Sequence, residues 1–208
     1  VIVDAGFLDE WKNKGHRYGE CMSHPDSDLM YVYIPKNATS WTKPNLQDWG
    51  WQFYNYHTDA LDKHAIIALR DPVDRWLSGI AECMFLYHPE FEFDDRETVE
   101  LVFDRVVFDD HTEKQVKFVH GLDTDRCTFL RCDENYSKNF ADLIAGYYGT
   151  NRYAAYEPQH VSEHSPERRR FKEIFQHYLN ESKYLEQIQN YFEEDYKLIN
   201  SVQFYGTR

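Results

Sequence analysis

The chain has 208 residues, 42% hydrophobic and 28% charged, a balance that suits a folded globular domain and excludes a disordered chain. With 23 Lys and Arg against 36 Asp and Glu the formal net charge is −13. That argues against a nucleic-acid binder, which needs a basic face to displace counterions, but it leaves room for a local basic pocket holding a small anion. No stretch approaches the ~20 consecutive apolar residues needed to cross a bilayer, so no membrane segment is expected within these residues.

Residues 1–28 are polar and mixed and read as an irregular N-terminal arm, with one α/β domain expected over 29–208. Leu29 to Ile34 is an apolar run rich in β-formers, stopped by Pro35, and reads as a buried strand. Ala65 to Leu69 is a second such run and Cys127 to Leu130 a weaker third. From Asp71 the period changes. Val73, Trp76, Leu77, Ile80, Met84 and Tyr87 recur at helical steps, with Asp71 as cap and Pro72 at the first helical position. Further helices are expected over 96–108, over 137–148 with Ser137 as cap and Gly149 as stop, from Ser165-Pro166 to about Leu179, and over about 182–199. Strands alternating with helices imply a small central parallel sheet flanked by helices in three layers.

Two segments carry chemistry. The first strand runs into Pro35-Lys36-Asn37-Ala38-Thr39-Ser40-Trp41. A lysine and two hydroxyl residues between a strand and a helix form a phosphate-cradle layout, in which turn amides, the positive helix end and a point charge converge. The glycine and the Gly-Lys-Ser/Thr order of a Walker loop are missing. The plainer alternative is an ordinary junction with Thr39 or Ser40 as helix cap. Pro44 falls inside the following helix, which must start late or be distorted. The second strand runs into Arg70, at the strand end where α/β folds bind ligands, and Ser78 follows eight residues later. A guanidinium and a hydroxyl can share one phosphate.

Taken together, the two segments resemble the nucleotide-binding signatures of the sulfotransferases that use 3′-phosphoadenosine 5′-phosphosulfate. Residues 35–41 are similar to the family's 5′-phosphosulfate loop, with Ala38 in place of its usual glycine. Arg70 through Ser78 is similar to its 3′-phosphate motif. Phe129-Leu130-Arg131, Glu134-Asn135, the helix stopped by Gly149 and Tyr191 to Tyr196 look like the carbohydrate-type branch. His111 to Gln115 is similar to a His…Gln segment of that branch. The resemblance implies a P-loop-like fold. It also implies transfer of a sulfuryl group from that co-substrate to an acceptor hydroxyl on a carbohydrate or other small compound, leaving 3′-phosphoadenosine 5′-phosphate. It places Lys36 at the bridging oxygen, residues 37–41 on the 5′-phosphate and Arg70 with Ser78 on the 3′-phosphate. No metal is called for. A cytoplasmic setting fits a bacterial or viral relative, and the Golgi lumen fits a chain anchored upstream.

The acceptor hydroxyl needs a general base. His57, in a polar aromatic segment before the second strand, is the first candidate and His111 the second, with Glu82 and Glu113 left open. Glu167 to Lys172 is the densest basic cluster. It reads as a solvated or salt-bridged helix start, or as a segment in which Arg168 and Arg169 close over the nucleotide or a sulfated acceptor. Two rival functions stand beside the transferase: a P-loop-like nucleotide kinase or hydrolase, and a nucleotide-binding domain without catalysis. Cys21, Cys83, Cys127 and Cys132 read as ordinary thiols, with a Cys127–Cys132 pair open under oxidising conditions. Asn37, Asn135 and Asn180 head glycosylation triplets.

Overall fold

The computed structural model describes residues 20–54, 62–87, 89, 96–119, 121–149 and 165–206. Among these the chain divides into two compact units. One is built from the described parts of 71–114 and 165–197, the other from those of 20–70, 115–149 and 198–206.

The second unit holds a five-stranded sheet. Its strands are β1 (Cys21–Ser23), β2 (Leu29–Val32), β3 (Gln52–Tyr54), β4 (His64–Leu69) and β5 (Cys127–Arg131), in the order β3-β1-β2-β4-β5. Its helices, numbered in chain order over both units, are α1 (Thr39–Asp48), α4 (Gln115–Phe118) and α5 (Tyr136–Tyr148). β2, β4 and β5 run parallel, with Met30 opposite Ala65 and Ile67 opposite Phe129. The two extra strands correct the expected parallel sheet to a mixed one, because β1 is antiparallel to both β2 and β3. Cys21–Ser23 is therefore strand where an irregular arm is expected. Three residues without a β-branched side chain leave no sequence signal, and pairing on both sides supplies what propensity does not.

Alternate residues of the strands feed two apolar layers. Tyr31, Ile66, Ala68 and Leu130 pack with Trp41 and Leu46 of α1 and Phe140 and Ile144 of α5. Met30, Val32, Ala65, Ile67, Leu69 and Phe129 pack with Phe118 of α4, Phe204, Leu198 and Ile199. Strands covered on both faces have no polar side, which is why β2 and β4 read as continuous apolar runs. α1 begins at Thr39 despite Pro44 inside it, so it does not start late. The carbonyl that Pro44 leaves without an amide partner belongs to exposed Ser40. α5 opens at Asn135 rather than Ser137 and closes on Gly149, whose φ of 65° is the left-handed stop expected of it.

The first unit is helical. It contains α2 (Pro72–Tyr87), α3 (Arg96–Arg105), α6 (Pro166–Tyr178), α7 (Ser182–Tyr191) and most of α8 (Glu193–Ser201). Asp71 caps α2 as expected, its carboxylate accepting from the Asp74 amide at 3.0 Å. Ser165 caps α6, with its hydroxyl accepting from the Arg168 amide at 3.3 Å. The single helix expected over 182–199 is broken at Phe192, which is fully buried among Trp76, Phe103, Phe171 and Phe175. α3 stops at Val106, whose left-handed φ of 60° ends the helix before the expected residue 108.

Candidate functional site

The loop between β2 and α1 is strained. Lys36 and Ala38 have φ of 69° and 56°, left-handed values that cost a non-glycine residue roughly 1–2 kcal/mol each. One ordinary hydrogen bond, worth ~1 kcal/mol net, does not offset that. The loop has several. Arg70 donates from Nη1 to the Lys36 carbonyl at 3.2 Å. The Tyr31 hydroxyl donates to the Asn37 carbonyl at 3.4 Å. The Ala38 carbonyl accepts from the Trp41 and Thr42 amides at 3.1 and 3.0 Å and from the Thr42 hydroxyl at 3.0 Å. Asn37, fully buried, donates through Nδ2 to the Ala68 carbonyl at 2.7 Å and to Oε1 of Gln115 at 2.6 Å.

These bonds occupy the carbonyls of Lys36, Asn37 and Ala38. What the turn carries besides is positive: Lys36, the first amides of α1 at Thr39 and Ser40, and the helix dipole behind them. The residue at the cap position is Ala38, with no side-chain cap bond, so neither Thr39 nor Ser40 serves as an ordinary cap. Trp41 is committed to the core, edge-on to Tyr136 and Phe140 at centroid distances of 5.9 and 5.8 Å, and anchors α1 rather than facing solvent. Below it, Thr42 and Tyr136 share a 2.7 Å hydroxyl contact. Burial pushes the phenols of Tyr31 and Tyr136 well above their ordinary range, so both stay neutral at working pH.

Arg70 follows β4 directly, and β4 is the parallel neighbour of β2. Its main chain is held by Gln115, whose Oε1 accepts from the Arg70 amide at 3.0 Å and whose Nε2 donates to the Arg70 carbonyl at 2.9 Å. The structure thus brings Lys36, Asn37, Ala38 and Arg70 into one hydrogen-bonded group at the C-terminal ends of adjacent parallel strands.

Ser78 belongs to the other unit, half-buried on α2. Around it the segment is structural. Trp76 donates from Nε1 to the Val106 carbonyl at 2.7 Å. Arg75, almost fully buried, donates to the carbonyls of Glu113 and, at 2.9 Å, Asp110. Burial draws its pKa down to about 10 against the pull of Asp195, Asp110, Asp109 and Glu113, so it remains a cation at neutral pH. A Cβ on Gly79 would lie 2.1 Å from the His111 carbonyl oxygen, so this helix touches backbone there.

His111 has Nδ1 3.0 Å from Asp109 Oδ2 and 3.1 Å from Asp110 Oδ1. Burial lowers its pKa, but hydrogen bonds and charge from the two carboxylates outweigh that and raise it to about 9. At pH 7 it is an imidazolium, suited to fixing a loop rather than to accepting a proton. Asp109, Asp110 and His111 place possible metal-ligand atoms within 4.8 Å of one another, but the chain already balances these carboxylates with its own imidazolium and with Arg75. Glu113 is buried and accepts from the Lys114 amide at 2.9 Å and the Tyr191 hydroxyl at 3.1 Å. Arg168 makes a two-pronged pair with Glu82 at 2.6 and 2.9 Å and lies 4.1 Å from the Phe85 ring centre, while Arg169 is exposed. His57 lies outside the described residues. All four cysteines are thiols, with no disulfide among them. Asn37 is buried in the loop, whereas Asn135 and Asn180 are exposed.

No family model, no curated protein and no solved structure matches this chain. Gln115 enters the sequence reading only as the end of the segment from His111 that resembles a His…Gln stretch, with no role attached, and Tyr31 looks like an ordinary member of an apolar run.

Proposed function

We propose that the chain is a sulfotransferase that moves a sulfuryl group from 3′-phosphoadenosine 5′-phosphosulfate to an acceptor hydroxyl, taken to be on a carbohydrate. The observation that carries this reading is the loop at 35–41, with the carbonyls of Lys36, Asn37 and Ala38 turned to partners, α1 starting at Thr39 and Ser40 without a side-chain cap, and a hydrogen bond joining the loop to Arg70 on the next strand. A ligand with phosphates at both ends of a ribose answers to two such positive positions.

In this reading the acceptor oxygen attacks sulfur, the bond from sulfur to the bridging oxygen of the 5′-phosphate breaks, and the electron pair stays on that oxygen. Lys36 meets the charge developing there, and the amides of Thr39 and Ser40 hold the phosphate. Arg70 receives the 3′-phosphate. The acceptor's proton goes to a base. His111 is held protonated, so the role falls to a residue such as His57. Arg168 is engaged by Glu82, which favours the salt-bridged reading of the basic cluster over the closing segment.

Calorimetric titration with 3′-phosphoadenosine 5′-phosphate in EDTA tests the reading. Micromolar binding that Lys36→Ala and Arg70→Ala each weaken about tenfold or more supports it. Binding of Mg·ATP in its place would move the kinase or hydrolase reading ahead, and binding without sulfation of any acceptor would favour a domain without catalysis.

A further inference from the structure

Gln115 is fully buried at the start of α4 and uses its amide three times: Oε1 accepts from Asn37 Nδ2 at 2.6 Å and from the Arg70 amide at 3.0 Å, and Nε2 donates to the Arg70 carbonyl at 2.9 Å. The pair of bonds to Arg70 is the two-way pairing that a neighbouring strand would provide. It holds the strand end one residue past Leu69, whose carbonyl takes the Cys132 amide at 2.8 Å. The bond to Asn37 fixes the loop that carries Lys36. Asn37 Oδ1 is buried and accepts nothing among the described residues, so that side chain is anchored through Nδ2 alone, to Gln115 and to Ala68. One side-chain amide therefore ties together the main chain of one cation and the turn beneath the other.

We infer that Gln115 is a positioning residue that sets the spacing of the two anion grips, the loop at Lys36 and the guanidinium of Arg70, and so makes the site select a nucleotide phosphorylated at both ends over one phosphorylated once. The inference rests on the nucleotide reading above. Gln115 itself touches no ligand. It acts by holding backbone at two places whose separation must match that of two phosphates.

The test measures dissociation constants for 3′-phosphoadenosine 5′-phosphate and for adenosine 5′-monophosphate on the intact protein and on Gln115→Met, which keeps length and removes every polar bond. Leaving the Asn37 donor and the Arg70 main chain without partners should weaken the doubly phosphorylated ligand roughly tenfold. The singly phosphorylated one should lose less, so the preference between them falls about threefold or more. A merely structural role would weaken both in proportion and leave the preference unchanged, and that result overturns the inference, as does unchanged affinity for both. If Gln115→Met does not fold, Asn37→Ser cuts the same bond from its other end and is read against the same two outcomes. Failure of the intact protein to bind either nucleotide overturns the nucleotide reading and this inference with it. Binding by the intact protein with no change of preference in the variant overturns this inference alone.

Discussion

The two segments that lead from a strand into a helix solve the same problem in opposite ways. At 70–79 the chain obeys local rules: an aspartate caps, a proline occupies the first helical position, and a glycine appears where the helix must approach another backbone. At 35–41 it breaks them. Two left-handed residues are not glycine, the helix cap has no capping side chain, and a proline stands inside the helix. The first junction is stable by its own sequence. The second is held by hydrogen bonds from outside the turn, from Tyr31 of the preceding strand and from Arg70 and Gln115 farther along the chain. Strain kept in place by remote partners is expected where a backbone must present its amides to a ligand.

The sharpest way to break the contrast is at Gly79. Alanine has the better intrinsic helix propensity by about 1 kcal/mol, so local rules predict a gain from Gly79→Ala. The added Cβ would lie 2.1 Å from the His111 carbonyl oxygen and 2.7 Å from its carbon, and backbone cannot step aside as a flexible side-chain tip can. The clash should win, with a loss of about 3 kcal/mol or more in urea unfolding. An unchanged or raised midpoint would mean that α2 does not press on this turn.

The same contrast explains what was legible in the sequence. β2, β4 and β5 and the helix from Pro72 announce themselves by apolar runs and periodicity, because both faces of the strands are covered and one face of the helix is. β1 and β3 do not, since three residues carry no period and their pairing is a tertiary fact. The break at Phe192 was hidden because the apolar residues of 185–199 keep helical spacing across it. In the site, Lys36 and Arg70 could be picked out as cations at strand ends. Gln115 stood out only through the resemblance of 111–115 to a His…Gln segment, and its role could not be read because its bonds to Arg70 and Asn37 are a tertiary fact. The environment of His111 was equally out of view: Asp109 and Asp110 precede it in sequence, but only the fold turns both carboxylates onto one ring nitrogen.

That ring gives the next prediction. His111 belongs to the turn that Gly79 meets, and its folded pKa is about 9 against an unfolded value near 6.5. Stability from its protonated form is complete below about pH 6.5 and is lost as the pH rises through about 9, a fall on the order of 2 kcal/mol. The measurement is urea unfolding at pH 6 and pH 9 for the intact chain and for His111→Gln. The variant should lose most of the difference. Equal slopes in both would show that the Asp109 and Asp110 carboxylates do not hold the imidazolium.

A smaller effect is expected where the helical stop after Tyr148 is changed. Gly149 has φ of 65° with nothing within 4 Å of a prospective Cβ, so Gly149→Ala meets only backbone strain and should cost about 1 kcal/mol.

The reverse change, Ala38→Gly, is the finest test of the contrast. Its backbone is nearly the same as that of Gly149, φ 56° against 65°. Relief of roughly 1–2 kcal/mol of left-handed strain is opposed by the roughly 0.5–1 kcal/mol of extra chain entropy that glycine loses on folding, so the variant should gain at most about 1.5 kcal/mol. Its nucleotide affinity should barely move, because the loop's shape is fixed by Asn37, Arg70 and Tyr31 rather than by residue 38. A stability gain without an affinity change would show that these bonds, rather than residue 38, set the loop. A gain of affinity instead, read by the same calorimetric titration, would mean that the alanine keeps the amides short of their best geometry, and that strain in this turn is a cost to binding rather than a preparation for it.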